Sequence, residues 1–336
     1  MHFLYKKHKM TLNPHIKLWL QLCAFMVIMM IFIGGLTRLS DAGLSIVEWK
    51  PITGIIPPLT PSAWQIEFAK YQTSPEFQII NHQIELSEFK QIFWLEFLHR
   101  IAARLTGLII CLPMLYFYTT KKLSFKNDKS YLWIMILLLA QGIMGWLMVK
   151  SGLQSAPHVS HFRLATHLIL AVTLYHVILA KISPASQKHW IILLLMPLLY
   201  IQIFLGGLTA GLDAGMIYNT FPLMGGNFIP HEFWLHENMT TILHDPSSVQ
   251  FSHRSLAYVV TILCIILAIK VNKQSKTMAL LIITTIATQV TLGILTLIYV
   301  VPIKIALLHQ ICAIALLSVI HFSASNKFLK NHLPSK

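Results

Sequence analysis

Charge is what this sequence has least of. Only 11% of its 336 residues are Asp, Glu, Lys or Arg, whereas 55% are hydrophobic, and the mean hydropathy is +0.65. A chain of this size cannot cover a water-facing surface with so few charges, which excludes a soluble globular enzyme and leaves an integral membrane protein. Acidic residues are scarcer still, 12 against 26 basic ones, for a net charge of +14. That surplus alone would suit a nucleic-acid binder, but the lysines are not gathered into one patch. Cysteine is limited to Cys23, Cys111, Cys264 and Cys312, all inside apolar stretches. With none in a long connecting segment, neither a disulfide framework nor a zinc spacing can be read from them, and the thiols read as small buried apolar groups.

What the chain has instead is long apolar runs. Crossing ~30 Å of hydrocarbon takes about 20 apolar residues in a helix. Leu18–Leu36, Tyr131–Val149, Trp190–Leu212 and Met278–Val301 meet that test without a charge. Phe93–Tyr118, Leu164–Ala180, Phe251–Ile269 and Ile305–Phe322 are apolar with ionisable residues near one end. The expected fold is therefore all-α, with eight transmembrane helices.

Lysines gather at five places: Lys6, Lys7, Lys9 and Lys17; Lys121, Lys122, Lys126 and Lys129; Lys181 and Lys188; Lys270, Lys273 and Lys276; and Lys327, Lys330 and Lys336. With eight spans, all five lie on one side of the membrane, joined by a single acid, Asp128. Glu67, Glu76, Glu85, Glu88, Glu232, Glu237 and Asp245 lie on the other. The positive-inside rule then places both termini in the cytoplasm, or in the matrix of a mitochondrion. The basic balance is a topology signal, and the partner it implies is a lipid bilayer, with no nucleic acid. The first run is too long for a signal-peptide core and reads as a retained anchor. The residues before it lack the Arg- and Ser-rich character of a transit peptide, favouring the bacterial inner membrane over the mitochondrial inner membrane.

The strongest internal signal is a repeat. Gly34-Gly35-Leu36-Thr37 with Asp41-Ala42-Gly43 returns as Gly206-Gly207-Leu208-Thr209 with Asp213-Ala214-Gly215. Phe97, His99 and Arg100 return as Phe251, His253 and Arg254; Gln141 and Gly145 as Gln289 and Gly293; His167 and Ala171 as His309 and Ala313. Each copy holds four helices, an even number, so the copies run parallel and imply a pseudo-two-fold axis along the membrane normal. The expected architecture is two four-helix bundles side by side, residues 1–185 and 186–336. Each Asp-Ala-Gly turn opens a long outer segment, 38–91 and 210–246, either a functional lid or docking surface or a solvated connector.

Ionisable residues inside a membrane are costly, and each is a functional candidate. His99, His167, His253 and His309 lie on the second, fourth, sixth and eighth helices, each near the outer end, while the odd-numbered apolar runs hold no histidine. Each half thus offers two imidazoles at similar depth. Two imidazoles are too few for an ordinary zinc site but match a bis-histidine heme, whose porphyrin supplies the other four nitrogens. The Cys-x-x-Cys-His signature of covalent heme is missing, so two noncovalent hemes are expected, one per half. The plain alternative is helix-to-helix hydrogen bonding; the unrepeated His161, His176 and His321 read as interfacial or helix-packing residues.

The halves differ where difference is informative. Glu96, three residues before His99 and on the same helix face, corresponds to Gln250. A carboxylate can move a proton and an amide cannot. Arg104 corresponds to Tyr258. The first half therefore reads as reactive and the second as a cofactor holder, unless Glu96 merely pairs with Arg100 or a neighbouring arginine. Arg100 and Arg254 either neutralise heme propionates or snorkel toward the surface.

These residues resemble a known family. Glu96-Phe97-Leu98-His99-Arg100 looks like the Glu-x-x-His motif of the heme A synthases. Gly34-Gly35-Leu36-Thr37-Arg38-Leu39-Ser40, Trp49-Lys50-Pro51 and Asn219-Thr220-Phe221-Pro222-Leu223-Met224 resemble its outer motifs. Arg163-Leu164-Ala165-Thr166-His167, Phe251-Ser252-His253-Arg254 and Leu308-His309-Gln310 resemble its histidine segments. The similarity runs from about residue 17 to 325. It implies oxidation of the C8 methyl of heme O to a formyl group, by two successive hydroxylations and loss of water, giving heme A for cytochrome oxidase. It also implies that His99 and His167 hold the substrate heme iron, with Glu96 essential to the chemistry. His253 and His309 would ligate a resident heme b. Heme O synthase and an electron-transfer protein are the implied partners, and a homo-oligomer is allowed. Some family members carry a cysteine pair in the first outer segment. This chain has none there, like the proteobacterial and mitochondrial branch.

Two rivals come from other classes. A bis-histidine cytochrome b-type electron carrier explains the histidines but not the Glu96/Gln250 difference or the outer motifs. A transporter built of parallel repeats wants a midplane site and broken helices; Pro197 could kink the fifth helix, but the histidines lie toward one side.

Overall fold

The computed structural model describes residues 12–50, 53–154, 157–184, 189–236 and 238–324. Lys6, Lys7, Lys9, Lys188, Lys327, Lys330, Lys336, Glu237, Pro51 and the 185/186 boundary lie outside them. The described residues are all-helical apart from one isolated bridge between Met224 and Asn227. Eight helices are long and apolar enough to cross a membrane: α1 (Pro14–Leu39), α4 (Leu86–Thr119), α5 (Ser130–Gln154), α6 (His161–Ile182), α7 (Trp190–Gly211), α9 (Pro246–Asn272), α10 (Lys276–Ile298) and α11 (Ile303–Ser323). Three short helices belong to the outer segments: α2 (Pro61–Gln72), α3 (Pro75–Ile79) and α8 (Met239–His244). Pro197 sits within an unbroken α7, so the kink that a transporter reading would use is not a break.

The helices start where capping chemistry puts them, which is earlier than hydropathy alone suggests. Asn13, Thr60, Ser74 and Asp245 each accept a backbone N–H with proline at the next position, the arrangement that opens a helix at least cost. Glu85 and Glu88 close a reciprocal capping box, so α4 begins at Leu86 rather than near Phe93. Its 34 residues extend about 51 Å, well beyond the hydrocarbon thickness, and its first turns stand in the outer segment. α1 reaches back to take in His15, an exposed histidine outside the apolar run. Asp128 is neutralised by an ion pair with Lys181.

The first outer segment is no solvated connector. Trp64, Tyr71, Phe89, Phe93 and Phe97 form an aromatic core of their own between α2 and the start of α4. Trp64 meets Phe93 edge-on at 5.0 Å between ring centroids, the geometry ring quadrupoles favour.

α1 packs against α4 and α6, and α7 packs against α9 and α11; α5 lies on α6, and α10 on α11. α6 meets α7, and α1 meets α11. One pairing is unequal. α9 and α10 run together along their lengths, whereas α4 and α5 scarcely approach one another.

The double glycines divide their work. Gly34 and Gly206 face histidines, while Gly35 faces Gln310 of α11 and Gly207 faces Ala165 of α6. A Cβ on Gly207 would stand 2.8 Å from the Ala165 Cα, a backbone atom that cannot step aside. Gly207→Ala is expected to destabilise the fold by about 1–3 kcal/mol, the usual cost of overpacking, seen as a lower thermal midpoint in detergent. Gly35→Ala should cost less, because its neighbour is the end of a flexible side chain.

Candidate heme-binding site

The four repeated histidines share one local design: each packs against a glycine of an adjacent helix. A Cβ on Gly34 of α1 would lie 3.7 Å from His99 Nε2 on α4, and one on Gly145 of α5 would lie 3.7 Å from His167 Cε1 on α6. The same construction on Gly206 of α7 meets His253 Cε1 at 3.2 Å, and on Gly293 of α10 meets His309 Cε1 at 2.9 Å. At Gly206 and Gly293 the missing side chain is what lets the imidazole lie so close, whereas at Gly34 and Gly145 an added Cβ would make ordinary contact. α4 and α6, which carry His99 and His167, both pack on α1, and α9 and α11, which carry His253 and His309, both pack on α7.

Glutamines steady the rings. Gln289 accepts through its backbone carbonyl, 3.1 Å from His309 Nδ1. The Gln202 amide nitrogen lies 3.1 Å from His253 Nδ1 and donates to the His253 carbonyl at 3.0 Å. Gln141 donates to the His167 carbonyl at 3.1 Å. Several buried polar atoms here lack a hydrogen-bond partner: His167 Nδ1, Gln202 Oε1, Gln289 Oε1, Gln250 Oε1 and Arg254 Nη1. Buried polar groups are almost always paired, so each such atom asks for an explanation.

Glu96 is 2% exposed and its carboxylate is fully engaged. Oε1 accepts from Arg100 Nη2 at 2.6 Å and Nε at 3.0 Å; Oε2 accepts from Ser45 Oγ at 2.6 Å and the Ile46 N–H at 2.8 Å. Arg100 also donates to the Ile46 and Glu48 carbonyls, at 2.9 and 3.1 Å, and lies 5.5 Å from the Trp49 ring. Arg104 grips the same strand of chain at the Lys50 carbonyl, 2.8 Å away. Glu96 therefore does pair with Arg100, and together they pin residues 45–50 to α4. Gln250 and Arg254 do the same in the other half, donating to the Tyr218 carbonyl at 3.1 Å and the Pro222 carbonyl at 2.7 Å. Both Arg100 and Arg254 anchor the outer segments through backbone carbonyls.

Above this pin lies a buried acid that sequence reasoning placed only as an outer-side charge. Glu76 is 6% exposed on α3, accepts from Tyr71 Oη at 3.0 Å, and sits near Glu96 and Asp41. Burial pushes its carboxyl up to about 7, with the neighbouring carboxylates adding to the rise. The folded protein thus holds this proton more tightly than the unfolded chain does, so stability falls as pH rises from about 4.5 through 7. Glu76→Gln, which can still accept from Tyr71, should remove that slope. Hydrogen exchange of residues 71–81 at pH 5 and pH 8 is the check: the loss of protection at pH 8 seen in the wild type should be absent from the variant.

Residues 17–321 match COX15-CtaA, the family of cytochrome oxidase assembly proteins. The chain is 46% identical to the heme A synthase of Rickettsia bellii over 325 residues, covering 90% of this chain and 95% of that protein. It is 45% identical to the heme A synthase of Rickettsia felis and 46% to that of Rickettsia prowazekii, with the same coverage. The chain belongs to this family. The heme A synthase resemblance drawn from the outer motifs and histidine segments is thereby established over nearly its whole length.

Sequence reasoning missed two features of the histidine sites. Gln202 stands four residues before Gly206, as Gln141 does before Gly145 and Gln289 before Gly293, so a recurring Gln-x-x-x-Gly would have marked it. The glycines were visible as repeat markers but not as the floor beneath each imidazole. His176 and His321, far apart in sequence, meet at 3.1 Å, with Tyr200 on one ring and the Ser183 carbonyl on the other. The reading of both as packing residues holds: they tie α6 to α11. Cys23 and Cys264 are buried as expected, while Cys111 and Cys312 are partly exposed; all four are free.

Proposed function

We propose that the chain is a heme A synthase that oxidises the C8 methyl of heme O to a formyl group. Two hydroxylations would turn the methyl into a geminal diol, and loss of one water would leave the aldehyde. The observation that carries this reading is the set of four histidines, each seated on a repeat-equivalent glycine, in a chain about 45% identical to heme A synthases.

In this reading the chain divides into halves, 1–185 and 186–336, related by a pseudo-two-fold axis, with both termini on the cytoplasmic side of a bacterial inner membrane. His253 and His309 hold a resident heme b. The unpartnered Arg254 Nη1 is suited to a propionate, and Gly206 and Gly293 seat the two rings. When bound, that heme supplies one-electron transfer. His99 and His167 hold the iron of heme O, the substrate, with the orphaned His167 Nδ1 among the atoms it would engage. Glu96, essential in this scheme, holds residues 45–50 against α4 beside the substrate histidines, and Arg100 completes the pin. Heme O synthase upstream and an electron-transfer protein are the partners the chemistry requires.

Heme extraction from membranes that express this chain with a heme O synthase tests the activity. Heme A that appears only when the chain is present supports it. Unchanged heme O beside a bis-histidine heme b spectrum would make the chain an electron carrier.

A further inference from the structure

The unequal pairing of helices leaves α4 and α5 apart where α9 and α10 close on each other. Between α4 and α5 lies an apolar groove of about 490 Å³. Leu138, Gly142, Ile143 and Trp146 of α5 form its wall, with Cys111 of α4 toward the inner end and Trp49 at the outer rim. We propose that this groove receives the isoprenoid chain of heme O, a proposal that rests on the substrate reading of His99 and His167.

Three observations carry it. First, the groove is continuous with the candidate substrate site. Gly145, which floors His167, is three residues from Gly142 and on the same face of α5. At the rim, Trp49 lies against Arg100, the residue after His99. Second, the groove lies in the half that would bind the substrate, where α4 and α5 stand apart. In the register that pairs Gln141 with Gln289, Gly142 corresponds to Val290 and Leu138 to Ile286. Ile286 is buried and Val290 packs on the main core, where α9 and α10 close on each other. A resident cofactor can be sealed in; a substrate must enter and its product must leave. Third, Gly142 is kept empty. A Cβ there would meet nothing within 4 Å, so no packing demand of the protein explains the glycine. From Met135 to Trp146 the α5 wall extends about 17 Å, long enough to lay out an extended hydrocarbon chain.

The groove has a chemical use. A porphyrin held only through its iron is free to turn in its own plane, and its several edge methyls would exchange places. A chain laid between α4 and α5 removes that freedom and presents one methyl to the reacting position. Lipid tails are as apolar as the isoprenoid, so fit against the wall, rather than escape from water, supplies the selectivity.

The test compares heme O with protoheme, which lacks the chain, titrated into the protein already carrying heme b. Gly142→Leu should weaken heme O binding at least tenfold and leave protoheme binding unchanged, with the heme b spectrum certifying the fold. An equal effect on both hemes, or none on either, would overturn the proposal and leave the substrate site standing. In the unsubstituted protein, heme O and not protoheme should slow labelling of Cys111 by a lipid-soluble maleimide; equal labelling means that lipid fills the groove and also overturns it. If neither heme binds in a manner lost on His99→Ala, the substrate reading itself fails.

Discussion

Glu96→Gln is expected to abolish heme A formation while the heme b spectrum from His253 and His309 stays intact. The substitution keeps the shape and removes the charge. Glu96 accepts four hydrogen bonds, two from Arg100, one from Ser45 and one from the Ile46 N–H. An amide can accept at one end only, so its NH2 must face a donor, and the Arg100 guanidinium is left without its counter-charge in a buried place. Removing one partner of such a pair costs about 3–5 kcal/mol, which is on the order of a hundredfold or more in the population of the pinned outer segment. The second half is spared because Gln250 and Arg254 hold their own segment without a carboxylate. Heme extraction and a reduced-minus-oxidised spectrum of the same membranes read both halves at once. Wild-type heme A output would remove Glu96 from the reaction. Glu96→Asp, which keeps the charge but shortens the reach, separates the roles: recovered heme b-independent protection of residues 45–50 with poor heme A output would mean that more than pinning is required of the carboxylate.

His253→Ala should have the opposite signature, losing altogether the heme b proposed to sit between His253 and His309. With one imidazole gone, an iron site that depends on two facing histidines has no second protein ligand. An unchanged heme b spectrum would refute the assignment. Gly293→Leu makes the sharper companion, since it leaves every ligand in place. A Cβ at 293 would already stand 2.9 Å from His309 Cε1, so the ring must swing away, and its contact with the Gln289 carbonyl breaks with it. Displacing the groups that orient a metal ligand weakens the site by roughly 10–100-fold. Heme b occupancy in purified protein should fall on that scale, and Gly145→Leu should leave it unchanged, because Gly145 floors His167.

Much of this protein was legible in the linear sequence because a membrane makes composition speak. Hydrocarbon forces backbone polar groups into helices and forbids stray charge, so eight spans and four unusual histidines stand out. The helix ends were less legible. The Glu85–Glu88 capping box carries α4 seven residues outward from the apolar run, a matter of local hydrogen bonding that hydropathy does not register. The outer segment around Trp64, Tyr71 and Phe89 was readable as a lid or a connector, and only its aromatic packing decided for a folded cap.

The sequence by itself determined the class, the number of spans, the repeat and the identity of the four histidines, because each follows from residue type and spacing along one chain. The tertiary structure alone decided what surrounds them. That each imidazole rests on a glycine, that Glu96 is consumed in pinning residues 45–50, that His176 meets His321, and that α4 and α5 stand apart while α9 and α10 close are facts about approach between distant segments. Such approaches depend on how helix surfaces fit against one another, and a side chain absent at Gly142 or Gly293 acquires its meaning only from what lies opposite.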